Sequence, residues 1–276
     1  MRSDGAIMAG VDGGTLDRIV LGWAAEEAVA GHAELVVCHV RQRSRLDGPE
    51  PVGSAALVLQ DVADTVRTSF PDLAVTTAVG ADRVVSALLR ASVDARMLVV
   101  GAHADVGDAG PRLGSVAEQV ATNAHCPVAV VRPPSAPNLV DVVAGVDGSS
   151  HSDLTLRLAA AEARRLGGRL LVVHAYRLPA PAEFGPNAGV DEPHHRAVAE
   201  ELVEQTLDHL GADRDALKIE TRAVHGCAAA ALLDAAATAA VLVVGARGLG
   251  GFERLRIGSV SQHVLRQAPC TVVIAR

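Results

Sequence analysis

The sequence predicts an α/β protein built from two tandem doubly wound parallel sheets of five strands each. Three observations lead to this prediction. Apolar residues make up 49% of the chain but aromatic residues only 2%, Val- and Leu-rich runs alternate with helical stretches, and the whole pattern occurs twice. A core of aliphatic side chains suits parallel strands covered on both faces. The 276 residues are enough for two domains.

An internal repeat predicts the domain organisation. The segment Met8-Ala-Gly-Val-Asp-Gly-Gly14 recurs as Val143-Ala-Gly-Val-Asp-Gly-Ser149, an offset of 135 residues, and Leu-Gly-Ser-Val at 113–116 recurs as Ile-Gly-Ser-Val at 257–260, an offset of 144. The offset grows by nine residues, which predicts an insertion in the second copy, and we place it in the Pro-, Gly- and Ala-rich segment 177–195. The proline-rich stretch 132–138 predicts a linker. The predicted domains are therefore 1–132 and 139–276.

Each copy is predicted to run strand, helix, strand, variable segment, helix, strand, helix, strand, helix, strand. In the second copy the β-branched and aliphatic runs predict strands at about 140–146, 169–175, 217–223, 240–245 and 271–275. The stretches between them predict helices near 151–166, 194–210, 227–238 and 258–267. In such a sheet ligands bind at the carboxyl ends of strands, where the strand order reverses.

Charge and composition argue against several classes of protein. The net charge of −7 offers no basic surface for non-specific nucleic-acid binding. The apolar window 228–246 approaches the length of a membrane span, but it is mostly alanine and ends in Val-Leu-Val-Val-Gly, so we predict a helix that leads into a buried strand. The four cysteines form no CxxC pair, which predicts reduced, packed thiols. The N-terminal segment shows no apolar secretory stretch, and we expect a cytoplasmic protein.

The strongest local signal lies in the second copy. Gly245-Ala-Arg-Gly248 follows a Val-rich strand, and nine residues later Gly258-Ser259 opens a predicted helix. Glycines permit positive φ and let backbone N–H groups approach an anion closely. The first turn of the helix, which also carries the hydroxyl of Ser261, attracts phosphate through its unpaired N–H groups and dipole. The pattern predicts a phosphate site; a plain turn followed by a helix cap is the alternative.

The first copy departs from this pattern. Its loop reads Gly101-Ala-His-Ala104, and its helix opens with Gly114-Ser-Val-Ala117. Ala104 replaces the second glycine and should strain the loop if that position has positive φ, while Ala117 removes a hydroxyl. Asp105 and Asp108 add negative charge nearby. We expect weaker phosphate binding in this copy, and whether it binds at all stays open.

Together, Gly-Val-Asp-Gly-Ser at the end of the first strand and Gly-x-x-Gly-x9-Gly-Ser after the fourth resemble the ATP-binding pattern of the universal stress protein family. The resemblance covers nearly the whole chain, twice. It implies a Rossmann-like fold of the adenine nucleotide alpha hydrolase type and ATP as ligand, with AMP and cyclic AMP as alternatives and Mg²⁺ beside the phosphates. The Arg-, Ala- and Val-rich usage is typical of a GC-rich, actinobacterial genome.

Carried over position by position, the resemblance implies nucleotide contacts in both copies. The phosphate loop would contact phosphate and ribose, Asp147 would lie near ribose and metal, and Ala175 near adenine. In the second copy the implied contacts are Gly145, Val146, Asp147, Ala175, Val244, Gly245, Arg247, Gly248, Gly258, Ser259, Val260 and Ser261. In the first copy they are Gly10, Val11, Asp12, Val40, Gly101, Gly114, Ser115 and Val116.

Charged side chains near the second loop have two interpretations each. Arg247, Arg254 and Arg256 could neutralise a polyphosphate, or they are ordinary exposed loop arginines. Asp12 and Asp147 could support Mg²⁺ held mainly by phosphate oxygens, or they cap the following turn. For His39 and His174, which recur at strand ends, we favour a structural role over a place beside the site. Ser259 with His263 lacks an orienting carboxylate and is not a catalytic dyad.

These features favour an ATP-binding regulator of a stress response that does not hydrolyse ATP, or does so slowly, and whose occupancy alters a surface read by a protein partner. A Walker loop is absent, since Lys218 is followed by Ile219. One alternative is an ATPase or nucleotidyl-transferring enzyme with Asp147 or Glu253 as base, and another is a scaffold that has lost nucleotide binding. The resemblance also implies antiparallel pairing of the last strands, Val128–Val131 and Val272–Ile274. That pairing would let one chain mimic the family dimer, and a homodimer stays open.

Overall fold

The chain folds into two compact units, Met1–Pro133 and Pro134–Arg276, which divide inside the proline-rich stretch. The computed structural model describes residues 5–39, 54–79, 84–102, 113–178, 191–250 and 256–276. Within these residues each unit is a five-stranded, all-parallel sheet with helices between its strands. The predicted fold class is confirmed.

The first unit alternates strands and helices from its start. Its strands are β1 (Ile7–Val11), β2 (Leu35–His39), β3 (Val75–Val79), β4 (Met97–Gly101) and β5 (Val128–Val131). Its helices are α1 (Asp17–Ala30), α2 (Ser54–Ser69), α3 (Val84–Ala91) and α4 (Ser115–Asn123). The strands lie in the order β3-β2-β1-β4-β5.

The second unit repeats this order of elements. Its strands are β6 (Val142–Gly145), β7 (Leu170–Tyr176), β8 (Ile219–His225), β9 (Val241–Gly245) and β10 (Thr271–Ala275). Its helices are α5 (Ser150–Leu166), α6 (Glu192–Asp208), α7 (Ala228–Ala236) and α8 (Ser259–Gln267), with a 3-10 turn at Gly211–Asp213. The strands lie in the order β8-β7-β6-β9-β10.

The strand order creates a reversal in the middle of each sheet. In the second unit the chain builds outward from β6 to β7 and β8, then returns to β9 on the other side of β6. Gly145 at the end of β6 stands in register with Val173 of β7 and Val244 of β9. The connections after β6 and β9 leave in different directions, so a cleft opens at their carboxyl ends, where α/β sheets bind ligands.

The core of the second unit explains its aliphatic composition. Val142, Ala144 and Leu242 are fully enclosed, as is every residue of β10. Successive strand residues point to opposite faces, so burial of consecutive residues means that helices cover both faces. The helices pack in two pairs, α5 beside α6 and α7 beside α8. Helix α5 ends at Gly167, whose φ of 66° suits a left-handed helix cap.

Three sequence predictions are refined by the fold. The window 228–246 is α7 followed by β9, as expected, and among the described residues no helix has the length and apolar character that crossing a membrane requires. The connection from α6 to β8 spans residues 209–218, against 70–74 between α2 and β3. Part of the insertion therefore lies there, at the 3-10 turn, and not in 177–195 alone. Cys38, Cys126 and Cys270 are buried, as predicted for packed thiols, whereas Cys227, at the start of α7, is exposed.

Candidate functional site

A cavity of about 460 Å³ opens at the carboxyl ends of β6, β7 and β9 in the second unit. This volume lies in the range of about 300–1,000 Å³ that small-molecule sites occupy. All twelve residues that the sequence singled out in this copy line it: Gly145, Val146, Asp147, Ala175, Val244, Gly245, Arg247, Gly248, Gly258, Ser259, Val260 and Ser261. The fold thus brings four separate segments of the sequence to one site.

The cavity has further lining residues that the sequence analysis missed. They come from the first turns of α5, from β7, from α7 and from the loop after β9, and they are Ser149, His151, Ser152, Thr155, Val173, Ala228, Leu232 and Gly250. The repeat offered a signal for three of them. The offset of 135 residues aligns His151, Ser152 and Thr155 with Leu16, Asp17 and Val20 of the first copy, a change from apolar and acidic to polar and basic side chains.

One end of the cavity is apolar. Gly145, Val173 and Val244 lie side by side in register and form its floor, and Leu232 of α7 also lines it. A Cβ atom on Gly145 would stand 2.9 Å from Leu232 Cδ2, so glycine lets Leu232 pack closely over the strand. An apolar lining of this kind suits the burial of an aromatic ring.

The other end is built from the first turn of α8. The first intrahelical bond of this helix runs from Gln262 N–H to Gly258 C=O. The N–H groups of Ser259, Val260 and Ser261 therefore precede the hydrogen-bond ladder, and the positive end of the helix dipole lies with them. Gly258 is the N-cap and is extended, with φ −78° and ψ 159°. The arrangement attracts an anion.

Ser261 makes a hydrogen bond that the sequence did not predict. Its hydroxyl donates to the Gly245 carbonyl at 2.6 Å, and the residue is 5% exposed. The hydroxyl therefore ties the start of α8 to the end of β9 and is not free to donate to a phosphate. Ala117 is its counterpart in the first unit. The alanine there removes this structural hydrogen bond and does not remove a phosphate donor.

Replacing Ser261 with alanine should lower the thermal stability of the second unit. The change leaves the Gly245 carbonyl without this buried donor, which costs about 1 kcal/mol of unfolding free energy. Thermal unfolding followed by circular dichroism measures the loss. Ser259→Ala is the control, because Ser259 is exposed on the same helical turn. Equal midpoints for the two variants would show that the Ser261 tether contributes nothing.

Asp147 joins the loop after β6 to the loop after β9. Its Oδ1 accepts hydrogen bonds from Ser149 N–H at 3.0 Å and Ser152 Oγ at 3.1 Å, and its Oδ2 accepts from Leu249 N–H at 2.8 Å. Burial by itself would raise the pKa of Asp147, but the polar contacts from Ser149, Leu249 and Ser152 outweigh it and lower the pKa below its ordinary value. The carboxylate is ionised at neutral pH and holds the two loops together.

Gly248 is required for a reason other than the one the sequence suggested. It is not among the described glycines with positive φ, so the strain argument based on φ is wrong for this position. Instead, a Cβ atom at Gly248 would lie 2.1 Å from Asp147 Oδ2, far inside contact distance. Glycine is needed because the Asp147 carboxylate packs directly on its backbone.

Two basic side chains line the polar end, Arg247 and His151. Arg254 lies outside the described residues, and Arg256 is exposed and absent from the lining. Among the described lining residues Asp147 is the single carboxylate, and no group of three or more His, Cys, Asp or Glu in the described chain is arranged to hold a metal ion. The site is therefore suited to an anion that is partly neutralised by arginine.

The first unit has a smaller cavity, of about 160 Å³, at the equivalent place. Seven of the residues predicted there line it, Gly10, Val11, Asp12, Gly101, Gly114, Ser115 and Val116, and Val40 lies outside the described residues, as do Ala104, Asp105 and Asp108. Leu16 and Val20 fill space beside Gly101. Asp17 adds a second carboxylate next to Asp12, and burial, followed by the charge of Asp12, raises its pKa above the ordinary value although two backbone N–H groups oppose the rise.

The paired histidines at the strand ends differ between the units. His174 Nδ1 lies 2.9 Å from the Val146 carbonyl, so it braces the turn after β6. His39 is 7% exposed, and its Nδ1 has no hydrogen-bond partner within the described part of the chain. Neither histidine is among the lining residues of the cavity in its unit, which agrees with the structural role favoured from the sequence.

Comparison with known proteins gives consistent results over the whole chain. A model described as the universal stress protein family matches residues 5–132 and again 141–276. The chain is 29% identical to universal stress protein Rv1996 of Mycobacterium tuberculosis, over 98% of this chain and 94% of that protein. It is 28% identical to Rv2623 of the same organism, over 98% and 96%. A crystal structure of a universal stress protein from Archaeoglobus fulgidus has a TM-score of 0.66 at 18% identity and covers 99% of this chain and 97% of that one.

Proposed function

The chain belongs to the universal stress protein family, and on that premise we propose that its second unit binds an adenine nucleotide, with ATP as the first candidate. One observation carries the proposal. A single cavity in this unit joins an apolar end, formed by residues of β6, β7 and β9, to the first turn of α8. A base fits the first end and phosphates the second.

The electrostatics of the cavity favour a ligand with at least one phosphate group. Arg247 lies two residues after Gly245 and lines the cavity together with Ser259 and Val260. An arginine and the positive end of a helix together supply about +1.5 charges, which is close to the charge of a phosphate monoester at neutral pH. ATP is the first candidate because of the family pattern in the sequence, with AMP and cyclic AMP as alternatives.

Asp147 could bind a magnesium ion only if the phosphates of the nucleotide also coordinate that ion. Its Oδ1 accepts two hydrogen bonds and its Oδ2 one, which leaves capacity on Oδ2. Magnesium commonly takes one or two carboxylates and completes its shell with phosphate and water. When bound, the ion would shield charge between neighbouring phosphates, and Asp147 Oδ2 would be its protein ligand.

We assign the protein a regulatory role, in which nucleotide occupancy changes the surface that a protein partner reads in a stress response. Hydrolysis is no part of this proposal. Of the two candidate bases, Asp147 has a pKa below its ordinary value, which makes it a weak base, and Glu253 lies outside the described residues. The first unit is proposed as a weaker site or none, because its cavity is smaller and carries two carboxylates. The pairing of last strands and a homodimer stay predictions.

Equilibrium dialysis with labelled ATP should give saturable binding of one nucleotide per chain. Ser259→Glu places a negative charge at the proposed phosphate end and should weaken binding by roughly tenfold. Ser115→Glu is the matched control, since it makes the same change at the equivalent position of the first unit, and it should leave the affinity unchanged. Both changes place an acidic side chain in the first turn of a helix, where it is tolerated.

The outcomes separate the hypotheses. If the wild-type chain shows no saturable binding, the scaffold alternative is correct and the proposal fails. If Ser115→Glu weakens binding and Ser259→Glu does not, the nucleotide lies in the first unit and the assignment is wrong. ATP turnover that accompanies binding would favour the enzyme alternative.

A further inference from the structure

His151 is a lining residue of the second cavity that the family pattern does not include. It occupies the first turn of α5, directly after the Asp147 turn. Its Cβ lies against the first loop glycine, because a Cβ atom on Gly245 would stand 2.9 Å from it. The side chain of His151 is therefore attached beside the phosphate loop, and Arg247 lines the same cavity.

The charged groups that face His151 come from three segments of the described chain. They are Asp147 after β6, Arg247 after β9 and Arg276 after β10. Burial and then the charge of Arg247 lower the pKa of His151, Arg276 adds to this, and Asp147 opposes it. The imidazole is therefore neutral at pH 7 while the cavity holds no anion.

A bound phosphate reverses this balance. Its negative charge stabilises the imidazolium and offsets Arg247, so the pKa of His151 is higher in the bound state than in the free state. A group whose pKa rises on binding takes up a proton, and affinity then increases as pH falls through the interval between the bound and free pKa values. The neutral histidine of the free protein would become a charged phosphate contact in the complex.

The first unit carries a different side chain at this position. Leu16 is equivalent to His151 and lines the smaller cavity there. The same backbone position thus accepts leucine without loss of the local turn, because Asp12 and Gly13 keep their hydrogen bonds to Asp17. We therefore expect His151→Leu to keep the local fold, because the first unit has leucine at the equivalent position.

We propose that His151 is a phosphate-binding residue of the second unit, which takes up a proton as it contacts the phosphate group of the bound nucleotide. This rests on the proposed nucleotide binding and adds to it a residue and a pH dependence. The ligand class is a nucleotide with a phosphate chain that reaches the loop between Gly245 and Gly248.

Isothermal titration calorimetry with ATP, in buffers of different ionisation enthalpy, measures both the affinity and the protons taken up. Wild type should take up a fraction of a proton between pH 6 and 7.5, and as the pH falls from 7.5 to 6 its affinity should rise by about fivefold more than the affinity of His151→Leu. His151→Gln, an uncharged polar replacement, should behave like His151→Leu. His263→Gln is the control, because His263 is exposed on α8 and absent from the cavity lining.

Comparison with the variants removes the titration of ATP itself, which contributes equally to every protein. Proton uptake that is the same in wild type and both His151 variants would overturn the inference while leaving nucleotide binding intact. An absence of ATP binding by wild type would defeat the proposed function, and this inference with it.

Discussion

Replacing Gly248 with alanine is expected to weaken ATP binding by roughly a hundredfold. A Cβ atom at this position would stand 2.1 Å from Asp147 Oδ2, so the carboxylate must move away from the loop. That movement breaks the hydrogen bond from Leu249 N–H to this oxygen, and a hydrogen bond to a charged group contributes about 1.5–3 kcal/mol. Without this bond the phosphate loop is no longer held to Asp147. A loss of about 2.7 kcal/mol corresponds to a hundredfold change in affinity.

Gly250→Ala is the matched control for this measurement. Gly250 lines the same cavity, two residues farther along the same loop, and a Cβ atom there would meet no described residue within 4 Å. It should bind ATP as wild type does. Equilibrium dialysis with labelled ATP compares the two variants, and circular dichroism checks that both are folded. Similar affinities for Gly248→Ala and Gly250→Ala would show that the contact between Asp147 and Gly248 does not support the site.

Most of the fold could be predicted because the responsible signals are local or repeated. Val-rich runs such as 241–245 bury both faces of a strand, and repetition at a fixed offset shows that they belong to one architecture used twice. The placement of the insertion was less accurate. The proline and glycine residues in 177–195 indicated an irregular segment there. The connection at 209–218, which is longer than its counterpart in the first unit, contains a 3-10 turn, and its sequence gives a weaker signal.

The site could be predicted as a set of residues but not as a set of contacts. The glycines and Ser259 were identified because a phosphate loop needs them at fixed spacing. The sequence could not show that Ser261 donates to Gly245 or that Asp147 packs on Gly248. These contacts join segments about 16 and 100 residues apart, and their partners depend on how strands align in the sheet. A local pattern carries no information about such partners.

The difference between the two units is clearest at one pair of equivalent residues, Asp17 and Ser152. In the second unit Ser152 Oγ accepts hydrogen bonds from Asp147 N–H and Gly148 N–H, both at 3.1 Å. In the first unit the Asp17 carboxylate accepts from Asp12 N–H at 3.3 Å and Gly13 N–H at 2.8 Å. The two side chains hold the same turn, but only the aspartate adds negative charge to its cavity.

Ser152→Asp should therefore reduce ATP affinity by roughly thirtyfold while the second unit stays folded. The new carboxylate can accept the backbone hydrogen bonds that Asp17 accepts in the first unit. It also places a second negative charge in the cavity, and repulsion between this carboxylate and a phosphate charge roughly 8 Å away is worth about 2 kcal/mol near a protein surface. The thirtyfold loss corresponds to that energy. Calorimetric titration with ATP at pH 7.5 measures it.

Ser152→Asn separates charge from shape in this experiment. Its side-chain oxygen can accept the same two backbone hydrogen bonds, but it carries no charge, so affinity should fall much less than in Ser152→Asp. The loss in Ser152→Asp should also shrink as salt is added, because charge repulsion is screened. If asparagine and aspartate weaken binding equally, the size of the side chain and not its charge limits the site. The weaker binding proposed for the first unit would then be attributed to its narrower cavity alone.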